Sequence, residues 1–547
     1  MQRNSLLLCA LFLSSVMLSG QTRVQPPSSP AEKDFAGTLR FLSSDWMEGR
    51  EAGSRGGFMA ADYIASMMQL YGLSPYGDQE KSNPGHSKNH EGMPVMQQSY
   101  FQNFEVLRVK PEKATLALVR RTSDTESEIQ LSPGIDFDLK SVFNGIEAEA
   151  PLVFAGYGIS AGDQGYDDYN GLIVKDRIVV VLEGFPGHAD TTSPAWRKLG
   201  KYFSDGRASW EKKLQTAARK GAMALVVVSA DGRHNPYSHS QHNLDIMQSS
   251  MNSAITGEPR YDDPEYFLPC DTTIDKAPVV ILGDNAMNQL FSGTGIVVPD
   301  FEKRVAGNIS PASMLLKEKR LKISVEVKTE SLVVHNVLGI IRGKDTTKSV
   351  VIGAHYDHLG MRNGLIYHGA DDNASGTSGM LALARKWSEH GEMPACNIIF
   401  SAWTAEEKGL LGSSYFVQHA PGNSHHIVLA FNMDMISRSA PEDTAHRVLS
   451  IGTLPSDDRL RKMAGDINQR LSRPFVLDLW DVTGHTGSDY GSFIAVKIPV
   501  MTFFSGFHDD YHTPRDVSSK ADLEKMQDIL KVVNDCVQEF TGNPLSE

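Results

Sequence analysis

At 547 residues and 41% apolar content, the chain is long enough for two or three domains and more than one buried core. Its 53 basic against 66 acidic residues make it mildly acidic, and no block of Lys and Arg offers a surface for nucleic acid, which excludes that class of partner. Beyond residue 20 no apolar run reaches the roughly 18 residues of a membrane span, so no stable membrane insertion is expected once the start of the chain is removed.

Residues 1–20 read as a signal peptide: Arg3 is a positive start, Leu6 to Leu18 an apolar stretch, and Ser19-Gly20 small residues before a Pro- and Ser-rich linker at 26–30. The expected location is therefore exported, periplasmic or extracellular. Cys9 lies inside the apolar run, too early to carry a lipid at a cleavage site. Cys270, Cys396 and Cys536 remain, an odd number, so disulfides are not what holds the fold.

From Ala31 to about Leu73 the spacing predicts two helices. Phe35, Leu39 and Leu42 share one face, Ala60, Ile64, Met67 and Met68 another, and a glycine-punctuated loop from Trp46 to Ser54 separates them. Residues 76–97 read as a polar surface loop in which His86 and His90 are merely solvated. From about 105 to 330 the pattern is short strands with glycine turns. Strands are expected at 151–159, 176–182, 222–228 and 278–282, with a helix at 209–220. His234, His239 and His242 stand in a polar loop, and no ligand-spaced cluster falls on a strand end, so this β-rich region is expected to be non-catalytic.

The α/β pattern resumes at Val333 and runs to the end. Strands are expected at 349–353, 397–403, 427–432 and 498–504, and helices near 376–388, 409–418, 457–470 and 520–540. In the last helix Leu523, Met526, Leu530, Val533, Val537 and Phe540 line one face. The chemistry gathers where these strands stop, as it does at the carboxyl ends of an open parallel sheet. The run Val350-Val351-Ile352 ends in His355-Tyr356-Asp357-His358, and Asp371-Asp372-Asn373 opens a small-residue helix. The run 397–403 ends at Glu406-Glu407, and Asp434 sits in an apolar run where an unpaired carboxylate is costly to bury. Tyr511-His512 follows the last strand. Singly each has a bland reading as a cap or a surface group; five clusters, at four strand ends and one helix start, point to a cation site.

These motifs, His355-x-Asp357, Asp371-Asp372-Asn373-x-Ser375-Gly376, Glu406-Glu407, Asn432 to Ile436 and Tyr511-His512, resemble in order those of the co-catalytic zinc exopeptidases, the family of aminopeptidase S-like enzymes and glutamate carboxypeptidase. The resemblance implies a doubly wound mixed α/β sheet of the zinc exopeptidase type. It also implies a first part of the peptidase domain at 31–130, an inserted β-rich protease-associated domain at 131–328, and the main metal-binding part at 329–547. It further implies two Zn2+ per chain, with Asp372 bridging both, His355 and Asp434 completing one site, and Glu407 and His512 the other. Two dications against three carboxylates and one hydroxide would form a neutral cluster, which makes burial tolerable.

Asp357, two residues from His355, is expected to orient that imidazole, with Asp371 and His358 as supporting groups. Adjacent residues of an extended segment point opposite ways, so one of Glu406 and Glu407 is expected to bind metal while the other faces a metal-bridged water; the resemblance implies Glu407 as the ligand and Glu406 as general base, and spacing alone also allows the reverse. Tyr511 is expected to donate a hydrogen bond to the oxyanion, as the family's tyrosine does. One departure is Tyr490 after Gly487-Ser488-Asp489, where many relatives have histidine; His485 is a conceivable substitute.

The substrates so implied are peptides, cleaved at the N-terminus by a secreted aminopeptidase. Asp489, Asp509 and Asp510 suit a substrate ammonium, against which stand Arg362, Arg438 and Arg515. Phe503, Phe504 and Phe507 are candidates for an apolar pocket, with core packing the alternative for at least two of them. A carboxypeptidase or dipeptidase of the same fold, and a metal-free receptor-like binding protein, stay open as other readings, and the sequence does not reveal oligomeric state.

Overall fold

The computed structural model describes residues 30–542 except 82–95, 141–142, 204–207, 229–263, 270–276, 363, 392, 422–426 and 483–486. The expected signal peptide, His86, His90, His234, His239, His242, Cys270 and His485 lie outside the described residues. One mixed sheet runs through the molecule. Its centre is four parallel strands, Cys396–Trp403, Asp345–His355, Ile427–Met433 and Val500–Phe504, in that spatial order. They read as unbroken apolar runs because both of their faces are covered. Val350, Ile352, Phe400 and Phe431 pack under the helices Pro30–Leu42, Arg55–Leu70, Gly376–Glu389 and Leu523–Gly542, while Val351, Ile399 and Val500 face Phe416 and Phe493 on the other side. Because the strands are parallel, their carboxyl ends share one edge of the sheet, where His355 lies beside Trp403 and Met433 beside Phe503.

The expected strands and helices from Val333 onward are present, with ends shifted by a few residues. The region 105–330 differs from a run of short strands. Two long strands, Phe101–Arg121 and Met314–Ile341, pair antiparallel along nearly their whole length. Ala114, Leu116 and Leu118 of the first, with Leu321, Ile323 and Val325 of the second, belong to a separate apolar core built on Ile146–Phe154, Ile178–Leu182, Ala224–Val228 and Val279–Leu282. Their other ends, at Phe104, Val106 and Val334, pack beside Ala405 on the parallel half. The two halves are thus joined by continuous ladder rather than by a linker. Among the described residues, Cys396 and Cys536 are both free and buried.

Candidate metal centre

Four strand ends and one helix mouth converge at the carboxyl edge of the parallel strands. His355 is the last residue of its strand and almost wholly buried. Its Nε2 lies 3.3 Å from Asp434 Oδ1 and 3.4 Å from Asp372 Oδ1. On the other side of Asp372, His512 Nε2 lies 3.0 Å from Oδ2 and 3.3 Å from Glu407 Oε2. Ligands about 2.0–2.1 Å from a tetrahedral zinc sit about 3.3 Å from one another, so these spacings suit two ions sharing the Asp372 carboxylate. His355, Asp372 and Asp434 form one group able to hold an ion, as expected; the other is His358, Asp372 and Glu407, with the expected His512 close beside Asp372 and Glu407.

The surroundings hold each ligand in place. Asp372 lies in the irregular turn Ala370–Ser375, where its peptide to Asn373 is cis. The buried Asp516 carboxylate accepts the N–H groups of Asp371 and Asp372 at 3.0–3.1 Å. Asp371 in turn accepts the Ser437 N–H and hydroxyl, both at 2.7 Å, with His508 Nε2 3.3 Å from its second oxygen. Asn373 donates to the Met433 carbonyl at 2.9 Å and accepts from Gly376 at 2.8 Å, and Thr377 donates to the His355 carbonyl at 2.6 Å. A Cβ on Gly376 would stand 2.4 Å from both Asn373 Oδ1 and the Met433 carbonyl, so the helix mouth requires glycine there.

Asp357 takes a different part from orienting the imidazole. His355 Nδ1 lies 3.2 Å from the Asp357 carbonyl oxygen and 3.8 Å from its carboxylate. The carboxylate instead accepts the backbone N–H groups of Glu406 at 3.1 Å and Glu407 at 3.4 Å, holding the turn that carries both glutamates. The strand ends at His355, so the period of two no longer governs Asp357, whose side chain meets the neighbouring turn. His358, fully buried, lies with Nδ1 2.7 Å from Glu407 Oε1 and 3.8 Å from Asp372 Oδ2. His358 thus shares a metal-capable group with Asp372 and Glu407, and its hydrogen-bond-length approach to Glu407 also suits a residue that holds that carboxylate in place.

Burial and mutual repulsion load this cluster with protons. Burial, then Glu407, pushes the Asp372 carboxyl up to about 7, and burial pushes Asp357 up to about 6. Burial likewise raises Glu406 well above the carboxylate range, with Glu407, Asp434 and Asp489 adding to it against the opposing His355. Burial would raise Glu407 also, but His512 and His358 hold it well below. Burial would lower the His512 imidazole, yet Glu407 and Asp372 carry it up to about 10. The site is an anionic hollow that demands positive charge, and divalent ions would supply it in place of these protons.

Three participants escape sequence reasoning. Arg50, fully buried, donates Nε to the Tyr356 carbonyl at 2.7 Å and Nη groups to the carbonyls of Leu42, His368 and Gly369 at 2.5, 2.7 and 2.8 Å. Burial lowers its pKa to about 10, against the pull of Asp372 and Asp357, so it remains a cation beneath the centre. Asp516 and Lys408 are the others, each a charged residue beside a motif with no local pattern of its own. Of the acids counted for a substrate ammonium, Asp510 is occupied: Arg438 and Arg515 donate to it at 3.0 Å and Lys520 at 2.7 Å. Tyr511 stacks on His512 with ring centroids 3.8 Å apart, and Phe507, half exposed, continues the row to Phe504. Phe503 is core.

Residues 336–537 match peptidase family M28, a span that contains all five of these donors. The chain is 29% identical over 233 residues to aminopeptidase YwaD of Bacillus subtilis (strain 168), across 41% of this chain and 48% of that one. It is 31% identical over 182 residues to a glutamate carboxypeptidase 2 homolog of Caenorhabditis briggsae, across 31% of this chain and 22% of that one. It therefore spans less than half the length of these curated relatives. An aminopeptidase from Aneurinibacillus sp. strain AM-1 shares the fold, with a TM-score of 0.57 at 20% identity over 92% of this chain and 93% of that chain.

Proposed function

We propose that this chain, whose residues 336–537 belong to peptidase family M28, is a zinc-dependent aminopeptidase that releases residues from the N-terminus of peptides and holds two zinc ions per chain. The observation that carries this reading is the Asp372 carboxylate, one oxygen of which faces His355, itself 3.3 Å from Asp434, and the other His512, itself 3.3 Å from Glu407. Bound there, paired zinc ions would polarise a peptide carbonyl and make water nucleophilic at neutral pH. Glu406 would take the proton of the attacking water and return it to the leaving amine. Its burial, which keeps the carboxyl well above the usual range, suits a group that must both hold and release a proton. Tyr511, fixed by its stack on His512, would donate to the oxygen that becomes negative.

The direction of cleavage follows from charge. A carboxypeptidase needs cations to hold the substrate's terminal carboxylate, but Arg438 and Arg515 are committed to Asp510. Glu406 and Asp489 leave the surroundings acidic, with burial pushing Asp489 up to about 7. Export after removal of residues 1–20, and a protease-associated domain at 131–328 set into the peptidase domain, belong to the same proposal. No helix among the described residues is long and apolar enough to cross a membrane.

The test is turnover of aminoacyl against carboxy-terminal chromogenic peptides, with metal analysis of the same preparations. We expect about two zinc per chain and cleavage of aminoacyl substrates only. Glu406→Gln should keep its metal and lose roughly 10²–10⁴-fold in kcat. Full activity in that variant would remove Glu406 from the chemistry, and release of carboxy-terminal residues would reverse the polarity proposed.

A further inference from the structure

The turn that carries Glu406 and Glu407 is held from the side away from the donors by residues the proposed chemistry does not use. Lys408, the next residue, has a side chain only 8% exposed, and its Nζ lies 2.9 Å from Glu51 Oε1. Glu51 belongs to the N-terminal loop that follows Arg50 and is pressed against the chain near the centre: a Cβ on Gly360 would stand 2.7 Å from Glu51 Cβ. The third member comes from the insert. Tyr266 donates its hydroxyl to Glu51 Oε1 at 3.3 Å, and Lys408 Nζ sits 5.1 Å from the centre of its ring.

Tyr266 lies far from the core of its own region. The connection between Ala224–Val228 and Val279–Leu282 contributes the strand Glu265–Phe267, which pairs antiparallel with residues 107–109 of the long strand Phe101–Arg121. There Tyr266 is 5% exposed, packed with Ala52, Phe104, Val106, Ala405 and Leu411. Ala405 is the pivot of the glutamate turn, in the left-handed conformation at φ 56°. A cation shielded by a buried ring and paired with a carboxylate is worth more than an exposed pair, because less of the attraction is lost to water.

We propose that Tyr266 and Glu51 are positioning residues that clamp Lys408 and thereby fix the Glu406–Glu407 turn, making a strand of the insert part of the catalytic unit. The proposal rests on the roles given above to Glu406 and Glu407. Asp357 holds the turn by its backbone N–H groups on one side and the clamp holds it by a side chain on the other. A rigid turn matters because a displacement of about 1 Å at a catalytic group can cost on the order of 10²-fold in rate.

The experiment uses the full chain with Tyr266→Ala, Tyr266→Phe, Lys408→Met and the Tyr266→Ala/Lys408→Met pair. It reads kcat and KM on leucine p-nitroanilide together with amide hydrogen exchange across residues 404–412. Tyr266→Ala should lower kcat about tenfold, leave KM within about twofold, and speed exchange at the amides of Glu406, Glu407 and Gly409. Tyr266→Phe, which keeps the ring over Lys408, should restore most of both. Lys408→Met should reproduce the loss, and the pair should be no worse than either single change, since all three break one contact. Lys408→Met alone decides the matter if Tyr266→Ala does not fold. Unchanged exchange and kcat, additive losses, a change in KM alone, or a Tyr266→Phe variant as impaired as Tyr266→Ala would overturn the clamp. Hydrogen exchange reads the clamp without turnover, so an inactive, zinc-free wild type would sink the proposed peptidase while leaving this test standing.

Discussion

Arg50 shows how much of this site depends on a side chain that meets no substrate. Its guanidinium binds four backbone carbonyls, from Leu42, Tyr356, His368 and Gly369, and so ties the end of the first helix to the segments just before His358 and just before Asp372. Removing it would leave several buried carbonyls without donors, each costing about 1–3 kcal/mol. Arg50→Met should therefore destabilise the fold by at least about 3 kcal/mol, read as a lowered midpoint in urea unfolding. Arg50→Lys should recover only part, because an ammonium lacks the planar fork that reaches partners on three sides. Nothing local announces this residue, since its partners lie as many as 319 positions away. His355, Glu407 and Asp434 were legible because each falls in or just after an apolar run, where a charge requires a reason, Asp372 because it opens a small-residue helix, and His512 because its loop follows the last apolar strand. Asp357 was legible as important, but its carboxylate serves the Glu406 turn, a contact between segments that spacing cannot reveal.

Among elements, the parallel strands could be read because burial on both faces leaves a continuous apolar signature. The long pair Phe101–Arg121 and Met314–Ile341 could not. Its exposed positions carry charges, Pro111 interrupts the first strand, and the ladder shifts register opposite it, between Glu326 and Val327. The outermost strand Val476–Asp481 has mostly exposed side chains and so no apolar run at all. The terminal helix Leu523–Gly542 matched its periodic face, yet its anchorage is polar. Lys525 Nζ donates to Asp443 at 3.0 Å, to Ser439 at 2.6 Å and to the Ser505 carbonyl at 3.2 Å, ahead of the loop bearing His512. Burial would raise Asp443, but the N–H groups of Val448 and Arg447, with Lys525, bring it down to about 2. A carboxyl depressed on folding stabilises fully above its unfolded value near 3.9, and the benefit disappears as pH falls through about 2. Thermal midpoints should accordingly drop between roughly pH 5 and 2, and Asp443→Asn should flatten that limb while lowering the neutral plateau.

For the molecule as a whole, the donor cluster sits where four strands, the N-terminal loop and the last helix's approach loop meet, so its charge balance bears on global stability. Carboxylates and imidazoles gathered this closely repel or hold protons until cations replace them. Chelation should lower the unfolding midpoint, and zinc restored at about a thousand times its Kd should return about 4 kcal/mol. Differential scanning calorimetry with and without chelator checks this, and an unchanged midpoint would mean the donors hold no tight metal. The overall α/β class and the order of the motifs were visible in the sequence; the merging of both halves into one sheet was not, because strand pairing across more than two hundred residues leaves no periodic trace.

The shared pair of long strands also constrains how such a chain can change. Lys113 stands opposite Glu326, whereas Pro111 stands opposite Val327, so the two lobes are geared through a single offset. A one-residue insertion between the lobes would turn inward-facing side chains outward along the rest of the ladder. Exchange of the insert with that of a cousin would thus succeed only where donor and recipient carry the same stagger, and recombination points should fall beyond these strands rather than within them.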